Sequence, residues 1–109
     1  MFLLVTLEKG DMAEDHRYKD HFESPDLFAW QSQNRTTQAS SHGQLIRNHH
    51  EKGAKVHLFV RKTKKVGQRA APFVYCGEVD FVSWEGEKPI SVSWRLREVL
   101  PEKLYQALK

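Results

Sequence analysis

Phe28 and Trp30 stand two residues apart and run directly into Gln31-Ser32-Gln33-Asn34-Arg35-Thr36. Two rings at strand spacing, then amides, hydroxyls and a guanidinium, are the groups that stack on a base, read its edge and hold a phosphate. The polar stretch extends to Gln44, and among the fourteen residues from Gln31 onward Ala39 alone is hydrophobic. A structureless tract of that length inside a small domain is usually functional or disordered. Nucleic acid is therefore the first ligand class to consider.

The charge distribution points the same way. Residues 1–30 carry three basic side chains against seven acidic ones, a balance of −4. Residues 31–70 carry nine basic side chains against Glu51 alone, a balance of +8, and residues 71–109 return to −1. A strongly basic middle third in a chain of net charge +3 reads as a face for an anionic ligand. A solvated basic loop with no ligand is the plain alternative.

Other chemistry is excluded by spacing. His49 and His50 are adjacent and point to different faces of a helix, and His16, His21, His42 and His57 match no ligand pattern. One cysteine rules out the usual zinc frameworks. His49-His50-Glu51 fits half of a zinc deaminase signature, but the P-C-x-x-C half is missing. No lysine has an acidic residue two positions before it, which removes the commonest metal-dependent nuclease core. His50-Glu51-Lys52 resembles the H-x-K of phospholipase-D-type nucleases, but His57 stands where the aspartate belongs. The expectation is a domain that is not catalytic by itself and needs no metal or cofactor.

The elements that must position these groups follow from periodicity. With 39% hydrophobic residues in a length of 109, the chain is expected to fold as one domain over 1–109. Phe2 to Leu7 is apolar on both faces and reads as a strand covered on both sides; it is too short for a signal peptide or a membrane span. No membrane association is expected, and a reducing cytoplasm suits the lone Cys76, read as a buried core thiol. Gly10-Asp11 marks a turn within the polar stretch from Glu8 to Asp20. Ser24-Pro25-Asp26 turns the chain into a short strand over Leu27 to Trp30. Ser40 or Ser41 caps a helix over roughly Gln44 to Lys52, which Gly53 stops. Lys55 to Arg61 alternates, Lys62 to Arg69 is a basic loop, and Pro72 to Trp84 is a long β run with a bulge expected at Gly77. Glu85 to Lys88 turns into the clean alternation of Ile90, Val92, Trp94 and Leu96. Pro101 opens a closing helix with Leu100, Leu104 and Leu108 on one stripe. Five or six strands with two short helices read as a mainly β (α+β) fold, a small, partly open β-barrel.

Tyr18-Lys19-Asp20, Ser24-Pro25, Phe28-x-Trp30-Gln31-Ser32-Gln33, Gly43-Gln44, Asn48-His49, Leu58-Phe59-Val60-Arg61, Pro72-Phe73, Gly77 and Gly86-Glu87-Lys88-Pro89 follow one another in this order. Together they resemble the C-terminal domain of bacterial helicase-like proteins known as domain of unknown function 3427, over about Phe2 to Leu108. The resemblance implies a domain that follows a helicase and often a phospholipase-D-like nuclease, as in modification-dependent type IV restriction enzymes of the SauUSI type. It further implies a barrel similar to the PUA and SRA base-flipping folds and a partner that is double-stranded DNA carrying a modified cytosine. Ile46 departs from the pattern, standing where an aromatic is expected in the helix after Gly43-Gln44.

A base-flipping reader needs an aromatic sandwich, groups for the Watson–Crick edge and cations for the splayed backbone. Tyr18, Phe28, Trp30 and Phe59 could supply the rings. Gln31, Ser32, Gln33, Asn34 and Thr36 belong to the stretch that could read the edge. Arg35, Arg61, Lys62, Lys64, Lys65 and Arg69 could hold phosphates. Each has a plainer reading: Phe28, Trp30 and Phe59 as core, Gln31 and Gln33 as the loop's own hydrogen bonds, Arg61 as a partner for Asp80 or Glu78. Trp84 and Trp94 are expected in the core. A protein-interaction module that docks on a helicase core without touching bases is the alternative function.

Overall fold

Alternation between apolar and polar residues sets the sheet, and it is strictest in Ser91–Leu96, where Val92, Trp94 and Leu96 are buried while Ser91 and Arg95 are exposed. The computed structural model describes residues 1–7, 20–33 and 35–109. Tyr18, Asn34 and the turn expected at Gly10-Asp11 lie outside the described residues. In chain order the elements are β1 (Phe2–Thr6), β2 (His21–Ser24), β3 (Leu27–Gln31), α1 (Ser41–Arg47), β4 (Val56–Arg61), β5 (Lys65–Val66), β6 (Arg69–Ala70), β7 (Val74–Glu85), β8 (Ser91–Leu96) and α2 (Glu102–Leu108).

Six strands form one sheet in the order β1-β4-β7-β8-β3-β2, curled into a half-barrel, while β5 and β6 pair as a separate two-stranded ribbon. The β1–β4 pair is parallel and the other pairs are antiparallel. The concave side holds the core, with Phe28, Ile46, Leu58, Val79, Ile90 and Trp94 fully buried. Side chains of this size contribute about 1.5–3 kcal/mol each when removed from water. Ile46 on α1 and Leu108 on α2 close the concavity.

The bulge at Gly77 forms as expected. Leu58 pairs with Gly77 but Phe59 pairs with Tyr75, so Cys76 is the extra residue, and Gly77 takes a φ of 101°. Cys76 is buried, and burial pushes its thiol up to about 11, against a smaller opposing contact with the Val60 backbone.

Two expectations are corrected. β1 is covered on one side only: Leu3 and Val5 are buried, while Phe2 and Leu4 are 68% and 64% exposed. Its outer face meets no covering layer among the described residues. The first helix runs over Ser41–Arg47, starting and stopping earlier than Gln44 to Lys52. The Ser40 hydroxyl fixes the start by accepting from the Gly43 N–H at 3.1 Å. After Arg47 a chain of turns leads to Gly53, whose φ of 69° suits a glycine.

Candidate nucleic-acid interface

The half-barrel leaves a seam between the free edge of β1 and the end of β3. A hollow of about 380 Å3 opens there, lined by β1, Asp20, Trp30, Gln31, Ser32, Gln33 and His42. In the parallel β1–β4 pair the Met1 carbonyl accepts from the His57 N–H and the Leu7 N–H donates to the Arg61 carbonyl. Odd-numbered residues of β1 therefore bond to β4. The backbone groups of Phe2, Leu4 and Thr6 point the other way, toward the hollow.

Trp30 sits at the junction of this hollow and the core. Its ring is half-buried and meets the Trp94 ring edge-on at 6.3 Å. Gln33 is exposed at the rim, and its side chain makes no hydrogen bond among the described residues. Arg35 is exposed in the following turn and takes part in no ion pair among them.

The rest of the tract is occupied by the fold itself. Phe28 is fully buried, 4.7 Å from the Phe22 ring, so it is a core residue and cannot stack on a base. Ser32 is buried as well. Its hydroxyl accepts from the Ile90 N–H at 2.9 Å and donates to the Gln33 carbonyl at 3.2 Å, and its own N–H reaches the Ile90 carbonyl. The hydroxyl's one proton and one of its two lone pairs are thereby used within the fold. Gln31 donates its backbone N–H to the Asp20 carboxylate and its side-chain amide to Ser91. Thr36 is buried, accepting through its carbonyl from the Lys88 N–H at 3.1 Å. Gln38 ties the tract to the β7–β8 turn by donating to the Gly86 carbonyl at 3.1 Å. The helix packs so closely on this loop that a Cβ at Gly43 would lie 2.2 Å from the Thr37 carbonyl oxygen.

The remaining predicted residues gather at the β4–β7 end. Phe59 is half-buried on the outer face, 4.9 Å from the Tyr75 ring, and so leaves the core altogether. Arg61 pairs with neither Asp80 nor Glu78. It donates to the Thr6 hydroxyl and the Ala71 carbonyl and lies 4.3 Å over the Phe73 ring, which makes it the anchor of the ribbon. Lys62, Lys64, Lys65 and Arg69 are exposed and form no ion pair among the described residues.

Arg97 takes the carboxylates instead, meeting Glu78 at 2.8 Å and Asp80 at 3.0 Å. Partial burial raises the Asp80 carboxyl, but the Arg97 guanidinium and His50 outweigh it and hold the group below its ordinary value. His49, His50 and Asp80 bring one ligand atom each within 4.8 Å of one another. Hydrogen bonds account for all three. An amide N–H can only donate, so His49 accepts from Phe81 through Nε2 and donates through Nδ1 to the Ala54 carbonyl. His50 Nε2 lies 2.7 Å from Asp80.

A second hollow of about 310 Å3 lies across β2, β3, β7 and β8, and it includes Glu23 and Glu85. Two carboxylates make it a poor cradle for a phosphate, in contrast to the ribbon.

The family model described as Domain of unknown function (DUF3427) matches residues 1–108. The chain belongs to this family. No curated protein matches it. Within the DUF3427 domain, the W-Q-S-Q segment thus divides between a ring and an amide at the seam, Trp30 and Gln33, and two residues that hydrogen-bond to neighbouring segments of the fold, Gln31 and Ser32. Spacing also missed His42 and the outward-facing backbone of β1. Only the topology brings them to the same hollow, and no local signal in the chain announces it.

Proposed function

We propose that this domain is a DNA-binding reader that tests a modified base, 5-methylcytosine first among the candidates, in the hollow beside Trp30. In this reading it is the target-recognition part of a bacterial, cytoplasmic restriction system and is joined to helicase and nuclease domains. The observation that carries the reading is a half-buried indole at the wall of a hollow within the usual range of ligand sites, about 300–1,000 Å3. A 5-methyl group adds one apolar contact, which a protein can feel in the major groove or by flipping the base into a closed site. Trp30 would stack on the base, and the Gln33 amide and the backbone of Phe2 and Leu4 would meet its edge. Arg35 and the ribbon cations would hold the backbone on either side.

A docking module for a helicase core is the competing reading, and the exposed Phe2 and Leu4 favour it. Salt separates the two. A reader neutralising several phosphates loses affinity steeply as salt rises, with a log–log slope of about −0.9 per phosphate on duplex DNA. Fluorescence anisotropy across duplexes with cytosine, 5-methylcytosine, 5-hydroxymethylcytosine and N6-methyladenine should show a preference for one modification. Trp30→Ala should abolish that preference in a chain that still melts cooperatively, while Lys64→Ala with Lys65→Ala should weaken all duplexes alike. Equal affinity for every duplex at all salt concentrations would end the reading.

A further inference from the structure

The outer face of β1, β4 and β7 carries rings that the described chain leaves uncovered. The register sets Phe2 opposite His57 and Phe59 opposite Tyr75, on the face away from the buried Leu58 and Val60. Phe2 lies 5.8 Å from Phe59, and Phe59 lies 4.9 Å from Tyr75. Phe2 is 68% exposed and Tyr75 52% exposed. The Tyr75 hydroxyl meets His57 Nδ1 at 2.8 Å, so the side chain reaches from β7 across to β4. Two exposed rings with a half-buried one between them, on one sheet face, are an apolar surface of the kind that interaction sites use.

The cations stand at the end of this row. From Lys52 to Gly77 the chain has seven lysines and arginines and no acidic residue. Arg61 anchors the ribbon to Thr6 and Ala71, directly after the β4 residues that bear the rings. Rings that accept any base face, beside exposed cations that form no ion pair among the described residues, match a strand whose bases are unpaired and whose phosphates are exposed. A duplex keeps its base faces stacked inside and offers the rings nothing. An acidic protein would satisfy the cations but gives no reason for the rings.

We infer that the outer face of β1, β4 and β7, with the β5–β6 ribbon beside it, binds single-stranded nucleic acid, Phe59 and Tyr75 stacking on bases and Lys62, Lys64, Lys65 and Arg69 following the phosphates. This site goes beyond the hollow at Trp30: the two would share the ribbon cations, but neither Phe59 nor Tyr75 lines that hollow, so the rings tell them apart.

The test is anisotropy of the whole chain with a labelled oligothymidine about 12 nucleotides long, within the span of about 4–16 nucleotides that single-strand sites cover. The chain should bind it more tightly than a blunt duplex of equal length. Tyr75→Ala, at an exposed position, should lose about 5- to 150-fold in affinity, the equivalent of about 1–3 kcal/mol for one stacked base. Tyr75→Phe keeps the ring and should bind as the parent does. Lys64→Ala with Lys65→Ala should flatten the salt slope by about 1.4, at about 0.7 per phosphate on a single strand. Duplex affinity equal to or above the single strand's, or full affinity in a folded Tyr75→Ala, overturns the proposal. So does displacement of the oligothymidine by polyglutamate at equal charge, which would mark a surface for acidic proteins. Preference for a modified duplex should survive Tyr75→Ala, and oligothymidine binding should survive Trp30→Ala, so each site can fail without the other.

Discussion

The polar tract after Trp30 and the basic ribbon after Arg61 are both poor in apolar residues, yet they use their polar groups in opposite ways. In the tract, Ser32, Gln38, Ser40 and Gln44 all hydrogen-bond within the loop or to the neighbouring turn. In the ribbon, four cations face solvent without an ion pair among the described residues. The difference is physical. Neutral amides and hydroxyls carry both donors and acceptors and can satisfy one another, whereas lysines and arginines only donate and repel their own kind. A run of amides is therefore weak evidence for a ligand, and a run of unpaired like charges is stronger evidence.

The largest effect that bears on this comparison is at Phe28. Truncating a fully buried phenylalanine costs about 3–5 kcal/mol, and Phe28 is fully buried against Phe22. Phe28→Ala should lower the urea midpoint severely, whereas Tyr75→Ala should leave it nearly unchanged. If Phe28→Ala kept its stability and lost only DNA affinity, the strand that leads into the tract would belong with the ribbon as ligand-facing surface.

Ser32 gives a smaller and sharper test. Ser32→Ala removes the acceptor for the buried Ile90 N–H, and a buried donor left unpaired costs about 1–3 kcal/mol. Thermal melts should show that loss with no ligand present. Lys64→Ala should fall within about 0.5 kcal/mol of the parent, as exposed substitutions do. A Ser32→Ala variant of unchanged stability but altered base preference would reverse the assignment of its hydroxyl.

Much of the fold was legible because burial on one side of a strand forces a period of two. Val56-Leu58-Val60 and Val92-Trp94-Leu96 could be placed from spacing alone, and Gly77 announced its bulge. The candidate site was legible only in part. Phe28 and Trp30 share a strand face, but Phe28 pairs with Trp94 deep in the sheet while Trp30 pairs with Val92 at its end. Position along the strand separates core from wall, and periodicity carries no information about it. The same limit applies to Phe2 and Leu4: an apolar run on both faces of β1 looks like a covered strand, and only the topology puts β1 at an edge. Ser32 could not be placed from sequence because a hydroxyl that reads a base and one that bonds a neighbouring strand are the same residue in the chain.

The smallest effect concerns the charges that the fold has already paired. Asp80 holds Arg97 through both oxygens and also meets His50, so this cluster contrasts with the ribbon at the level of single ions. Burial works to raise the Asp80 carboxyl, but these contacts hold it below its ordinary value of 3.8. A carboxyl depressed in the folded state stabilises fully above its unfolded value, and that stabilisation is lost as pH falls through the folded one. Asp80→Asn should thus be slightly less stable than the parent at neutral pH, the difference being small because exposed ion pairs contribute little. Urea midpoints measured downward from neutral pH should converge for the two proteins below 3.8. A gap that stays constant through that range would mean that Asp80 acts by packing and not by charge.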